Sequence, residues 1–268
     1  MNLIHYSNTS NKEVVNLINK DITYSVLTRI LQNTCTDIYT NNESVIICYS
    51  FPPYPIWVWC KDITNKEDVN SVCNCLKDNY LSNGKYNIIL SHELLNELKR
   101  IDSIYNDLSL KMELYSYQLD KINEIAYPCD GKIELANSSN LKELTYIFKD
   151  MFFEMEGFNF DLEECKNRVM RHIENQTLFT LKNENDEILA ITSKSDDGVY
   201  AKISSVYTVP KYRRRGYAIN LVHYVTELLL EQNLIPILYT NGEYVASNEC
   251  YKKIGYYQVG RLCNVENR

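Results

Sequence analysis

From Ile203 the chain runs through a β-branched and aromatic stretch to Val209, meets Pro210, passes Arg213, Arg214, Arg215 and Gly216, and then enters an unbroken helical pattern. The stretch to Val209 predicts a strand, and Pro210 ends it because proline cannot donate to a sheet ladder. Beyond Gly216 the residues Ile219, Leu221, Val222, Val225, Leu228 and Leu229 recur at three- and four-residue steps, so one helix face is buried. The loop therefore leads into a helix N-terminus. There the first N–H groups have no intrahelical partner and the macrodipole is positive, which favours an anion. Gly216 and Ala218 are small where a ligand must approach the backbone, and the arginines add fixed positive charge to a chain of net charge −7. On its own the arginine run reads as a solvated cluster. Between a strand and a helix it reads as a cradle for a diphosphate.

The usual phosphate motifs are absent: there is no G-x-x-x-x-G-K-[ST] and no G-x-G-x-x-G turn. What stands there is Arg-x-x-Gly-x-Ala, at Arg213, Gly216 and Ala218, preceded by V-Y-T-V-P at Val206 to Pro210. After a predicted strand at Ile235 to Thr240 comes S-N-E-C-Y-K-K-I-G-Y-Y, from Ser247 to Tyr257. In this order the two segments resemble the cofactor loop and late helix of the GNAT N-acetyltransferases, and the resemblance covers about Lys132 to Arg268. It implies acetyl-CoA as co-substrate, with the diphosphate on the amides of Arg215, Gly216, Tyr217 and Ala218 and on the side chain of Arg213 or Arg214. It also implies a pantetheine arm along Val206, Tyr207 and Thr208, whose amides polarise the thioester carbonyl.

The activity implied is that of an acyltransferase moving groups other than aminoacyl groups, with a primary amine attacking the thioester directly. By the same resemblance Tyr251 is the proton donor to the leaving thiolate and Asn248 a polar contact near the cofactor. Two departures stand out. The family's N-P-x-S-N start is replaced here by Glu243 to Asn248, and Asn241 lies ten residues before Tyr251 where the family's asparagine lies seven before. Tyr200 to Val209 also carries no acid, although many relatives place a glutamate there. The base candidates are then Glu154 and Glu156, at the end of a predicted helix where the family's acceptor loop lies. His172 and His223 read as helix-face residues. These departures keep a second reading open, a non-catalytic module that senses an acyl-CoA.

A length of 268 residues with 45% hydrophobic and 24% charged residues allows two ordinary domains of an α/β class with a mixed sheet. Pro128, Asp130 and Gly131 make Ala126 to Lys132 the best linker, dividing the chain into 1–126 and 132–268. The second part reads strand, two helices, three strands, helix, strand, helix, the GNAT order. In the first, two short amphipathic helices fill the first forty residues. Strands follow at Val45–Tyr49 and Ile56–Cys60, a helix at Asn65–Asp78, a strand at Tyr86–Leu90, a helix at His92–Arg100 capped by Ser91, and a strand at Leu108–Ile122. The Pro52-Pro53 turn and the stretch Leu114–Leu119 resemble the front half of two-part bacterial GNAT proteins, a worn copy of the fold without a cofactor loop.

Residues 1–130 hold 16 acidic and 11 basic side chains and the rest 19 and 17, so neither part is a nucleic-acid surface. No run approaches the ~18 apolar residues of a membrane helix, and the start lacks a basic and apolar leader, so a cytoplasmic protein is expected. The nine cysteines are scattered without C-x-x-C pairs or a histidine cluster, which predicts reduced thiols and no metal. The amine acceptor, small molecule or protein, and the oligomeric state are left open.

Overall fold

A computed structural model describes residues 3–18, 21–33, 35–125 and 130–267, with the side chains of Lys12 and Glu156 excepted. Residues 126–129 of the expected linker lie outside the described residues. The chain forms two compact units that are not contiguous stretches. One contains Met1–Ser116, Thr240–Tyr244 and Gln258–Arg268, the other Tyr117–Tyr239 and Val245–Tyr257.

The first unit holds β1 (Ile4–Thr9), α1 (Lys12–Ile18), α2 (Ser25–Leu31), β2 (Cys35–Thr40), β3 (Val45–Tyr49), β4 (Ile56–Cys60), α3 (Lys66–Leu76), β5 (Asn87–Leu90), α4 (His92–Ile101) and β6 (Leu108–Gln118). β1 to β4 pair antiparallel in chain order, and β5 joins β4 in parallel. Every residue of β3 is buried, as expected of a strand covered on both faces. Val69, Val72 and Leu76 of α3 and Leu94, Leu95 and Leu98 of α4 pack with Ile47, Val58 and Ile88. The cap predicted for α4 is present: Ser91 Oγ accepts the Leu94 amide at 3.1 Å. The expected strands β3 and β4 occupy the expected residues. β1 and β2 were not expected, because their sequences are short and polar and β1 is largely exposed, so no apolar alternation announces them.

The second unit holds β7 (Lys132–Leu135), α5 (Leu141–Glu156), α6 (Leu162–Glu174), β8 (Leu178–Lys182), β9 (Ile188–Asp196), β10 (Tyr200–Thr208), α7 (Tyr217–Glu231), β11 (Ile235–Asn241) and α8 (Val245–Ile254). Its strands lie in the order β11-β10-β9-β8-β7. β7 to β10 are antiparallel, and β11 joins β10 in parallel. Leu144, Ile147, Phe148 and Met151 of α5 and Cys165 and Val169 of α6 pack on Leu178, Ile188, Ile191 and Tyr207. Asp161 caps α6 by accepting the Glu164 amide at 2.7 Å. Gly157 ends α5 at φ 72°, where the amides of Gly157 and Phe158 return to the carbonyls of Phe153 and Phe152.

The two units repeat one element order: strand, two helices, three strands, helix, parallel strand, helix. In each, the three strands and the strand before the helices are antiparallel. A last strand, β12 (Tyr257–Asn267), follows α8 but lies in the first unit, antiparallel to β5, and contributes Cys263 and Val265 to its core. The tail of β6 lies in the second unit, where the Leu119 amide bonds the Pro236 carbonyl at 3.0 Å. Among the described residues the cysteines are free thiols, and no helix is long and apolar enough to cross a membrane.

Candidate active site

The parallel pairing of β10 with β11 runs from Tyr200 with Ile235 to Ile203 with Leu238. β10 continues to Thr208, still paired with β9 on its other side. Where the β11 pairing ends, β10 bulges. Ser204 faces Ser193 but Tyr207 faces Ile191, and Ser205 takes the left-handed φ of 53° to absorb the extra residue. Past the bulge, Val209 gives its amide to Leu189 on β9 at 3.0 Å. Strand alternation then turns the amides of Val206 and Thr208 to the opposite edge, and leaves that of Tyr207 on the β9 side. Of the three strand residues named from the sequence, two thus offer donors to the open edge.

After Pro210 a single 3-10 turn leads into the arginines. Arg214 and Gly216 adopt left-handed backbone, at φ 66° and 82°, and α7 starts at Tyr217. No side chain caps this helix and its first turn contains no acid. The amides of Tyr217 and Ala218 therefore face an uncapped, positively polarised helix end. Arg214 and Arg215 beside it are exposed and have no ion-pair partner among the described residues. Such a site suits a diphosphate.

The helix at the same place in the first unit's order, α3, is closed. Asn65 caps it by accepting the Glu67 amide at 3.1 Å, and Glu67 and Asp68 stand in its first turn. Asp68 is 2% exposed, and its carboxylate accepts hydrogen bonds from Asn41 at 3.0 Å, Ser44 at 2.6 Å and Asn65 at 3.0 Å. A side-chain cap and two acids stand at the start of α3, where α7 has neither. Asn65 followed by two acids is a cap signal legible in the sequence; the burial of Asp68 is not.

Arg213 turns toward α5. Its Nη2 donates to Glu154 Oε2 at 2.7 Å, its Nε donates to the Thr208 carbonyl at 3.1 Å, and its guanidinium lies 5.3 Å from the Tyr207 ring centroid. The Tyr207 hydroxyl donates to the same carboxylate oxygen at 3.1 Å. Arg213, and then Tyr207, hold the Glu154 carboxyl below its ordinary pKa. Burial, followed by the charge of Glu154, pushes the Tyr207 phenol up to about 12. Glu156 closes α5, and its side chain lies outside the described residues.

Tyr251, 5% exposed on α8, sits between the rings of Tyr117 and Tyr256, at centroid distances of 6.4 and 6.2 Å. Asn248, one turn earlier on the helix, accepts the Tyr117 hydroxyl at 3.0 Å. Tyr117 is the site neighbour that sequence reasoning missed. It lies 131 residues from Asn248 in the chain, and no local pattern links them. His172 meets Thr177 at 2.8 Å, and His223 meets the Asn123 carbonyl at 3.0 Å. Both are held by neighbours in their own unit.

The chain has a GNAT acetyltransferase fold, and solved structures share it over nearly the whole chain. A GNAT-family acetyltransferase from Colwellia psychrerythraea is 14% identical, with a TM-score of 0.64, over 99% of this chain and 100% of the other. A GCN5-related N-acetyltransferase from Sphaerobacter thermophilus is 9% identical, with a TM-score of 0.69, over 98% and 95%. A Drosophila protein is 10% identical, with a TM-score of 0.68, over 99% and 98%. At these identities the likeness is one of fold. In sequence, residues 182–265, which carry the loop, α7 and α8, match the family of FR47-like proteins. No curated protein matches the chain.

Proposed function

We propose that the protein transfers an acetyl group from acetyl-CoA to a primary amine, which attacks the thioester directly. The observation that carries this reading is the contrast between two equivalent helix starts. The start of α3 is closed by its own cap and two acids, whereas that of α7 is uncapped, free of acid and flanked by two exposed arginines. On this reading the amides of Arg215, Gly216, Tyr217 and Ala218 bind the diphosphate, with Arg214 and Arg215 adding charge. The amides of Val206 and Thr208 hold the pantetheine arm, and the Val206 amide donates to the thioester oxygen as charge develops on it. One such donor is commonly worth ~3 kcal/mol. Tyr251 gives its proton to the departing thiolate, and Asn248 holds Tyr117 against it.

The acceptor ammonium, of pKa near 10, must lose a proton before it attacks. Glu154 and Glu156 are the acids that would help it leave. Glu154 is a weak base while Arg213 remains on it. No metal is needed for any of these steps.

Calorimetry with acetyl-CoA tests the reading. The native chain should bind in the micromolar range, and Gly216→Glu, which fills and repels the diphosphate site, should lose binding. Because Gly216 has a φ of 82°, Arg215→Gln serves as a variant that alters charge alone, and it should bind about threefold to tenfold more weakly. No binding by the native chain, or equal binding by all three proteins, overturns the assignment.

A further inference from the structure

The arginine that the loop motif would give to the cofactor is occupied by a carboxylate. Glu154 Oε2 holds Arg213 Nη2 at 2.7 Å, while Arg213 Nε is fixed on the Thr208 carbonyl at 3.1 Å. Glu154 lies three residues before Gly157, in a last helical turn without a basic residue. A carboxylate there meets the negative end of the macrodipole, so its own helix does not favour it. Its reason for being there is to be sought in Arg213 and Tyr207. The pair is also only partly covered, with side chains 35% and 44% exposed, so it is of the weak and exchangeable kind. A diphosphate carries more charge and can take a guanidinium through two parallel bonds. It can therefore outcompete a single carboxylate oxygen for Arg213.

We propose that Glu154 is a latch on the cofactor site: it holds Arg213 when the site is empty, passes it to the diphosphate on binding, and is thereby released beside Tyr207. This rests on the acetyl-CoA reading above and adds a sequence of events to it. Glu154 becomes free to take a proton only once the acyl donor is in place. The base is thus unavailable until there is a thioester to attack.

The test is a double-mutant cycle on acetyl-CoA affinity, by calorimetry at fixed salt, with Glu154→Gln, Arg213→Met and the double variant. Removing the competitor should tighten binding about threefold, the worth of an exposed ion pair. Arg213→Met should weaken it, and Glu154→Gln should add nothing in that background. A pair that serves structure alone predicts weaker binding for both single variants, which overturns the latch. Tightening that persists in the Arg213→Met background also overturns it, since the effect would then be direct repulsion of phosphate. Glu154→Ala repeats the measurement should the glutamine variant fold poorly. If the native chain binds no acetyl-CoA, the cofactor reading falls first and the latch with it, whereas native binding that Glu154→Gln leaves unchanged overturns the latch alone.

Discussion

Tyr251 is enclosed by two further tyrosines, and the role proposed for it depends on one hydroxyl. Phenylalanine keeps the ring contacts to Tyr117 and Tyr256 and removes only that group. Tyr251→Phe should therefore lower kcat about a hundredfold or more, the range ascribed to general acids, and leave acetyl-CoA affinity unchanged. Unchanged turnover together with unchanged affinity would remove Tyr251 from the chemistry. A second residue ties the stability of the first unit to pH. Glu113 is 7% exposed and accepts Arg261 through two bonds, at 2.8 and 2.9 Å, and His92 at 2.8 Å. Arg261 first, and His92 less, hold its pKa below the ordinary carboxylate value. A depressed carboxylate contributes stability above its unfolded pKa, and the contribution is lost as pH falls through the folded value. Glu113→Gln should thus cost about 2 kcal/mol at pH 7 and much less near pH 3, read from denaturant midpoints at the two pH values.

At the scale of elements, what was legible followed from local rules. The caps Ser91 and Asp161, the apolar runs of β8 and β9 and the spacing of apolar residues in α7 each depend on residues within a turn or two of one another. Leu228 is the exception on α7, half-buried where full burial was expected. The edge strand β1 and its neighbour β2 were not legible, because they take their conformation from pairing and not from an apolar face. The end of α5 gives an element-scale prediction. Gly157 has φ 72°, and a β-carbon there would meet nothing within 4 Å, so Gly157→Ala is strained in backbone alone. It should lower stability by about 1 kcal/mol, measured by urea unfolding, without a packing defect. It should also loosen the turn that carries Glu154, and so shift acetyl-CoA affinity in the same direction as Glu154→Gln.

For the whole molecule, the last strand belongs to the first unit. β12 pairs with β5 through Cys263 to Glu266 and buries Leu262, Cys263 and Val265. Deleting 258–268 should leave β5 with an open edge and expose the first unit to limited proteolysis, with cleavage within 1–116 as the readout. Protection equal to that of the full chain would overturn this. By itself the sequence determined the strand–loop–helix cradle, the order of elements in the second unit and the absence of a comparable loop in the first, because these depend on neighbours in the chain and on the fixed polarity of a helix. Only the tertiary structure decided that Arg213 rests on Glu154, that Asp68 is buried against Ser44, that Tyr117 meets Asn248 and that β12 completes β5. Each of these joins residues from 24 to 179 positions apart, and such contacts are set by how a sheet is paired and covered, which no local pattern encodes.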